Sequence, residues 1–245
     1  MGRNPAPATP PTPDLDRAIG LLWGATDGRP NRGPRPKLTV AQIAKAALAI
    51  ADAEGLAAVS MQRVAAKFGF TTMALYRYLP GKAELVAAMV EVALDAPPDL
   101  SIVPGGWRGR LLAWCEAMGA ILRRHPCSLE VLSGLRVMGP NEMAWLEAAV
   151  RALEGTRLTG SEKLDAIFTL MAHVRATTQY AVPPPPGALS SGQWGEALIR
   201  AARRRPDEHP ALLAAIAGGA LAEGHGDGAA FGLCVILDGL TARSD

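Results

Sequence analysis

The side chains with the most informative chemistry stand together in the stretch TTMALYRY, residues 71–78 of the 245-residue chain. Threonine can bond bases or phosphates, tyrosine can donate to phosphates, methionine can lie against thymine methyl groups, and arginine can pair with guanine or the DNA backbone. The alternative is a polar helix face that happens to carry tyrosines, but adjacent exposed aromatic residues are unusual unless they contact something. We therefore predict a nucleic-acid contact formed by Thr71, Thr72, Met73, Tyr76, Arg77 and Tyr78.

Two short helices joined by a glycine turn are predicted to position these side chains. Ser60 is a good N-cap for a helix with an apolar face over residues 61–68, and Gly69 ends that helix. The next helix begins at residue 71 or 72, buries two leucines, and stops at Pro80, which cannot continue it. In such a helix-turn-helix the second helix enters the major groove of DNA, and residues of its first turns reach base edges.

Longer helices flank this pair. Apolar residues between Val40 and Ala51 recur with the i, i+3, i+4 spacing of an amphipathic helix. A further helix is predicted to begin around Lys82 and to be broken by the prolines at residues 97 and 98. Residues 39–84 are therefore predicted to form a three-helix, helix-turn-helix DNA-binding domain. Ser60, Gln62 and Lys82 complete its candidate DNA contacts.

Positive charge is concentrated in the same part of the chain. Residues 28–83 hold nine lysines and arginines against two acidic residues, a net charge of +7, whereas the whole chain carries only +2. Such an asymmetry is expected when a nucleic-acid-binding domain is joined to a neutral or acidic one. A merely solvated basic surface is the alternative that charge alone leaves open.

An extended basic arm is predicted to precede the helices. The segment RPNRGPRPK, residues 29–37, alternates four cations with prolines that forbid a helix. Residues 1–14 are proline-rich and expected to be disordered or extended, while residues 15–24 could form one or two helical turns. We expect residues 1–38 to act as an arm that follows the DNA backbone or an adjacent minor groove. The cations assigned to this contact are Arg32, Arg35 and Lys37.

The core LYRYLPGKAEL, residues 75–85, resembles the recognition helix of the TetR family of bacterial transcriptional repressors. The resemblance runs from residue 39 to about residue 95, and Ala74 departs from it where many members carry a hydroxyl or small polar residue. It implies a homodimer that binds double-stranded operator DNA and has a small-molecule-responsive helical C-terminal domain. By position, it implies that Gln62, Thr72, Met73, Tyr76, Arg77 and Tyr78 face the operator, with Lys82 against a phosphate.

The rest of the chain reads as a succession of helices with no convincing strand, so the predicted fold class is all-α. TGSE, residues 159–162, is a capping box before a long helix. The last helix, GAAFGLCVILDGLTAR, residues 228–243, is apolar over too wide an arc to be covered on one side only. We predict a larger domain, residues 85–245, that binds an effector and forms a homodimer through these C-terminal helices. The alternative is a central helix of a monomer.

The sequence predicts the residues of a ligand pocket less specifically than those of the DNA contact. Residues 135–150, LRVMGPNEMAWLEAAV, resemble the helix end and proline-started helix that line the inducer cavity in the tetracycline-repressor branch. The residues that ligate magnesium and drug in that branch are not matched, so tetracycline itself is not expected. We predict an apolar pocket with a few polar groups, although each residue could equally belong to the core. The candidates are Trp114, Met118, Leu135, Met138, Trp145, His173, Thr177 and Gln179.

Other classes of protein find little support in the sequence. Three cysteines lie far apart, which argues against a disulfide framework or a thiolate zinc site. The four histidines show no HxH or HExxH spacing, and neither GxSxG nor a phosphate-binding glycine loop occurs, so no catalytic residue, metal or cofactor is predicted. No uninterrupted run of about 18 apolar residues occurs, so we expect a cytoplasmic protein without a membrane partner.

Together these features predict a repressor that a small hydrophobic effector releases from a palindromic operator. Repression and activation share the same DNA-binding chemistry, because the sign depends on where the operator lies relative to the promoter. A ligand-independent activator or an architectural DNA binder is therefore an alternative function. An all-α enzyme is a further one.

Overall fold

Helices make up the regular structure of the residues that the computed structural model describes, which are 15–24, 38–132, 136–182, 187–220 and 228–244. Within those ranges there is no strand, and the predicted all-α class is confirmed. The α-helices are α1 Leu15–Trp23, α2 Val40–Glu54, α3 Met61–Lys67, α4 Thr72–Tyr76, α5 Lys82–Leu94, α6 Gly106–Arg124, α7 Cys127–Val131, α8 Pro140–Ala152, α9 Gly160–Ala181, α10 Ser191–Ala202, α11 Pro210–Ala217 and α12 Gly228–Ser244. Short 3-10 turns occupy Leu56–Ala58, Leu100–Ile102 and Pro206–Glu208.

The chain divides into two compact units. The first unit contains Met1–Asp95 together with Val131–Met143, and the second contains Ala96–Glu130 together with Ala144–Asp245. Helix α8 therefore begins in the first unit and continues in the second. The boundaries predicted after residues 38 and 84 separate an arm, a DNA-binding domain and an effector-binding domain by function, and they stay predictions.

Only part of the predicted N-terminal arm can be compared with the structure. Helix α1 covers nine residues where the sequence allowed one or two helical turns. It packs against α5 within the first unit. Residues 1–14 and the basic segment 29–37 lie outside the described residues, so their predicted extended conformation stays a prediction.

Helices α2 and α5 form the main helix pair of the first unit. The hydroxyl of Thr39 accepts the backbone N–H of Gln42 at 3.2 Å, and the Gln42 side chain accepts the Thr39 N–H at 2.9 Å, which completes a capping box for α2. The predicted apolar face of α2, which includes Ile43, is buried, and Leu85 and Met89 are buried on α5, the helix that α2 packs against. The first unit thus has its own apolar core.

In the second unit α9 packs against both α6 and α12. The predicted capping box begins α9, because Thr159 accepts the N–H of Glu162 and the Glu162 carboxylate accepts the Thr159 N–H. Trp114 of α6 is fully buried and meets Trp145 of α8 edge to face, with ring centroids 6.1 Å apart. Its indole N–H donates to the Trp145 carbonyl oxygen at 3.0 Å, so the buried donor is satisfied.

Candidate functional site

Helix α3 and the turn after it hold α4 in place. The Ser60 hydroxyl caps α3 by accepting the N–H of Arg63 at 3.2 Å. After α3 the chain turns at Gly69, whose φ of +67° lies in the left-handed region that favours glycine. A Cβ at Gly69 would meet nothing within 4 Å, so the backbone conformation and not crowding requires glycine there. The turn is closed by the N–H of Phe70, which donates to the Ala65 carbonyl at 3.0 Å.

Helix α4 presents polar side chains outward while two leucines anchor it. Leu75 of α4 is fully buried, and so is Leu79, three residues beyond Tyr76, where the helix ends earlier than the predicted stop at Pro80. The Thr71 hydroxyl caps the helix by accepting the Ala74 N–H at 3.3 Å. Met73, in the first turn, is 74% exposed, although a methionine of this size is ordinarily buried. Met73 therefore projects from an anchored helix in a position that suits contact with a partner surface.

The structure gathers most of the predicted DNA contacts on α3, α4 and the start of α5. Seven of them are exposed, namely Ser60, Gln62, Thr71, Met73, Tyr76, Arg77 and Lys82. Thr72 and Tyr78 are half-buried. The hydroxyls of Ser60 and Thr71 already serve as helix caps, which leaves each able to donate its own hydrogen. Arg32, Arg35 and Lys37 lie outside the described residues.

Three further residues in this region were not among the predicted contacts. Arg63 and Lys67 are exposed on α3. Arg63 follows Gln62 directly, and Lys67 lies one turn after Arg63. Phe70 is exposed in the turn before α4. Arg63 forms an ion pair with Glu54 at the end of α2, which joins the two helices. The spacing of Lys67 from Arg63, four residues along a helix, was the available sequence signal.

The predicted ligand contacts on α6 and α8 form a packed core. Trp114, Met118 and Trp145 are almost completely buried. Trp114 and Met118 share one face of α6, since they are four residues apart. Trp114 contacts Trp145 directly. These three side chains therefore lie where an apolar ligand would have to displace or separate them.

The remaining ligand candidates lie outside α6 and α8. His173 and Thr177 lie one turn apart on α9, and the His173 Nε2 is 2.8 Å from the Ala229 carbonyl oxygen of α12. Its ring leaves no room for a Cβ at Gly232, since one would lie 2.3 Å from the ring Cε1. Gln179 is exposed, and Met138 is half-buried in the first unit. Leu135 lies outside the described residues.

A groove of about 310 Å³ lies along α9 and α12 in the second unit. None of the predicted ligand residues lines it. Its walls are Leu158, Glu162, Asp165, Ala166, Thr169, Ile236, Leu240 and Arg243. Its apolar side chains come from both helices and from Leu158 before α9, and its charged ones are Asp165 and the Glu162–Arg243 ion pair described below.

Apolar side chains on α9 and α12 also point away from the core. We call Leu164, Phe168, Phe231 and Val235 the outward set; Phe168 is 50% exposed and Val235 is 54% exposed. On α12 only Leu237 is fully buried. The wide apolar arc noted in the sequence is therefore mostly uncovered within a single chain.

Two ion pairs tie α12 to its neighbours in the second unit. Arg108 of α6 lies 2.7 Å from Asp238, and Arg243 pairs with Glu162 at the start of α9. The Arg243 hydrogen bond, followed by those from the N–H and hydroxyl of Thr159, lowers the pKa of Glu162 to about 2. The Glu162 carboxylate thus caps α9 and holds α12 at the same time.

We expect this carboxylate to make a small, acid-sensitive contribution to stability. Because its pKa is lowered on folding from 4.5, the contribution is present above about pH 4.5 and is lost as the pH falls towards 2. Arg243→Gln should lower the Tm by a few degrees at most at neutral pH, since the pair is exposed. Thermal unfolding of both proteins across this range should show the difference in Tm narrowing on acidification. A constant difference would contradict the assignment.

Metal sites and cysteine reactivity can be checked in the described residues. Among them, no group of three or more histidine, cysteine, aspartate or glutamate side chains is arranged to hold a metal ion. Burial raises the pKa of the Cys115 thiol to about 12, so this cysteine is not a ready nucleophile. No helix in the described part of the chain is long and apolar enough to cross a membrane.

Comparison with known proteins gives relatives among transcriptional regulators. The chain is 41% identical over 176 residues to the HTH-type transcriptional repressor DrrR1 of Streptomyces coeruleorubidus. The match covers 71% of this chain and 64% of the relative, so the chain spans less than two thirds of that repressor's length.

Solved structures share the fold over most of the chain. A possible TetR family transcriptional regulator from Streptomyces coelicolor A3(2) matches with a TM-score of 0.64 and 25% identity, covering 83% of this chain and 98% of that one. ActR from Streptomyces coelicolor in complex with actinorhodin matches with a TM-score of 0.68 and 23% identity, covering 85% and 99%. At this identity the likeness to ActR shows the fold alone.

Two family descriptions match adjoining parts of the chain. Residues 43–89, from α2 through most of α5, match "Bacterial regulatory proteins, tetR family". Residues 103–244 match "Tetracyclin repressor-like, C-terminal domain", which is more than half of the chain. With an anchored helix-turn-helix in the first part and an all-α second part, the chain belongs to the TetR family of bacterial regulatory proteins.

Proposed function

We propose that the protein is a transcriptional repressor that binds double-stranded operator DNA as a homodimer and is released by a small hydrophobic effector. The observation that carries the proposal is the construction of α4, whose exposed Met73, Tyr76 and Arg77 project from a helix anchored by Leu75 and Leu79. Such a helix can enter a major groove without losing its place in the core. The repressor name of the 41% identical relative supports the same direction of control.

The DNA contact is proposed to divide into reading and positioning parts. Residues in the first turn of α4, above all Thr72 and Met73, would reach base edges, because that end of a recognition helix enters the groove first. Arg77 and Lys82 would contact phosphates, which fix the register without carrying sequence information. The arm cations Arg32, Arg35 and Lys37 would add contacts to the backbone or a minor groove.

The homodimer is proposed to form through α9 and α12. The outward set leaves four large apolar side chains uncovered on these two helices. A second copy would remove them from water and place two α4 helices on the two halves of a palindromic operator. The protein is proposed to act in the cytoplasm, where its operator would be.

The effector is proposed to bind in the second unit around Trp114, Met118 and Trp145, with His173 and Thr177 as polar neighbours. This lining is mainly apolar and includes few hydrogen-bonding groups, which suits a small hydrophobic molecule. Because Trp114 and Trp145 contact each other in the structure, a ligand between them would bind a conformation in which they separate. It can release DNA only through its preference for that conformation.

Selection of duplexes from a random library, followed by fluorescence-anisotropy titration, tests the proposal. We expect a palindromic duplex to be selected and its affinity to fall steeply with salt. A panel of hydrophobic compounds should contain members that weaken binding. If no duplex is preferred over random competitor DNA, the proposal is wrong. If a duplex is selected but no compound changes its isotherm, the ligand-independent activator or architectural binder is favoured.

A further inference from the structure

A side chain of helix α5 caps the N-terminus of α8. The Glu91 carboxylate of α5 accepts the backbone N–H of Asn141 at 2.7 Å and that of Glu142 at 3.2 Å. The Asn141 side-chain amide donates back to the Glu91 carbonyl oxygen at 2.8 Å. A carboxylate in this position satisfies two N–H groups that the first turn of a helix leaves without an internal partner, and it complements the helix dipole. These atoms all belong to the first unit.

Gly139 allows this close approach. A Cβ added there would lie 2.2 Å from the Glu91 Cδ and 2.4 Å from its Oε1, far inside van der Waals contact. Any larger residue at this position must displace the carboxylate from the α8 N–H groups. The requirement for glycine is therefore steric and specific to the contact with Glu91.

An ion pair braces the same segment. Arg136 donates to the Glu142 Oε1 at 2.8 Å, and both side chains are largely buried. Burial raises the pKa of the Glu142 carboxyl, Arg136 opposes that rise, and the Glu91 charge adds to it. Arg136 and Glu91 thus both act on the Glu142 carboxylate at the start of α8, the first by a hydrogen bond and the second by its charge.

Helix α1 holds the segment at a second point. The Trp23 indole N–H donates to the Met138 carbonyl oxygen at 3.0 Å, across 115 residues of sequence. Helix α1 also packs against α5, the helix that carries Glu91. Helix α1 precedes residue 43, where the first matched region begins, so Trp23 lies outside the matched regions while Met138 lies within the second one.

We propose that Glu91 and Trp23, with the segment 136–142 that they hold, form a latch that couples the conformation of α8 to operator affinity. The proposal rests on the proposed repressor function and deepens it by naming a positioning device. Neither Glu91 nor Trp23 is assigned a contact with DNA or effector.

The coupling follows from what the latch joins. The held segment runs directly into α8, which carries the candidate effector contact Trp145. Its other partner, α5, packs against α2 in the DNA-binding unit and begins at Lys82, close in sequence to α4. A shift of the α8 N-terminus must therefore either break the Glu91 hydrogen bonds or move α5. Because such coupling is reciprocal, binding of operator must also change the stability of the latch.

Amide hydrogen exchange of the wild-type full-length chain tests this without a known effector. The probe is the duplex selected from the random library. We expect operator binding to change the exchange rate of the Asn141 and Glu142 amides by at least about fivefold, the low end of ordinary coupling between two sites. Glu91→Gln and Gly139→Ala should both speed exchange at these amides and change operator affinity by at least about fivefold.

Glu147→Gln is the matched control. Like Glu91→Gln, it replaces a carboxylate by an amide, but on α8 and at an exposed ion pair with Arg151. It should leave both measurements near wild type. Trp23→Phe keeps an aromatic ring but removes the N–H, and it should shift both measurements in the same direction as Glu91→Gln.

The outcomes separate the two proposals. A wild-type chain that selects no duplex overturns the repressor function and the latch with it. A chain that binds its operator with unchanged exchange at Asn141 and Glu142 overturns the latch alone. Operator affinity within twofold of wild type, about 0.4 kcal/mol, in both the Glu91 and Gly139 variants would do the same. If the Glu91 variant responds and Trp23→Phe does not, α1 is not part of the latch. Should the variants fail to fold, the wild-type exchange comparison still decides.

Discussion

Val235→Asp is expected to convert the proposed dimer into monomers. Val235 is 54% exposed on α12, so a subunit can fold with aspartate there, whereas a dimer interface would have to bury the new charge without a partner. We expect the dimer dissociation constant to rise at least about 100-fold, equivalent to about 3 kcal/mol. Affinity for a palindromic operator should fall with it, because each monomer would contact only one half-site. Sedimentation at micromolar concentration and operator titration measure the two effects.

Ile102→Asp provides the control, since Ile102 is 80% exposed in a 3-10 turn outside α9 and α12. It introduces the same charge at an exposed apolar position and should leave the dimer intact. Leu237 is unsuitable for this test, because it is fully buried within the chain and aspartate there would damage the subunit itself. A wild-type chain that sediments as a monomer, or a Val235→Asp dimer, would refute the proposed interface.

The helix-turn-helix was predictable because its determinants are local. Ser60, Gly69 and Thr71 act within four residues of their own positions, through caps and a left-handed turn. Leu75 and Leu79 follow helical periodicity and are buried as predicted. Local chemistry of this kind is readable from one sequence, since no distant residue has to be known. Gly69 ends α3 as predicted, and its left-handed backbone conformation explains why glycine stands there.

The ligand candidates stay a prediction, because a pocket depends on how distant helices pack together and one sequence does not specify that packing. Apolar periodicity marked Trp114, Met118 and Trp145, but it marks a filled core in the same way. His173 illustrates the difficulty, because its ring lies against Gly232 of α12, and no local pattern joins those residues. The sequence therefore indicates which helix faces are buried, but it does not show whether they pack against each other or against a ligand.

The latch was beyond sequence reasoning for a related reason. Glu91 and Asn141 are 50 residues apart, and a glutamate late in an amphipathic helix looks like an ordinary solvated charge. Gly139 follows the pattern of a simple turn before Pro140. Only the packed structure shows that the carboxylate completes another helix and that the glycine makes room for it.

Arg77→Ala is expected to weaken operator binding to a similar extent for all sequences. Arg77 is exposed at the C-cap of α4, away from the first turn that reads base edges in helix-turn-helix proteins. We therefore assign it to a phosphate and expect a loss of about 1–3 kcal/mol. The salt dependence of binding should become shallower by about one unit of slope, because one phosphate contact is lost. Folding should survive, since the side chain is outside the core.

Met73→Ala should have the opposite signature. Met73 lies in the first turn of α4 and is assigned to a thymine methyl group, so its loss should relax discrimination at one base pair and leave the salt slope unchanged. Arg151→Ala removes the same charge as Arg77→Ala from an exposed ion pair on α8 and should change neither quantity. The measurement is anisotropy titration of the selected duplex and its single-base variants at several salt concentrations. Wild-type affinity in Arg77→Ala, or a base-specific loss there with an unchanged slope, would show that the phosphate assignment is wrong.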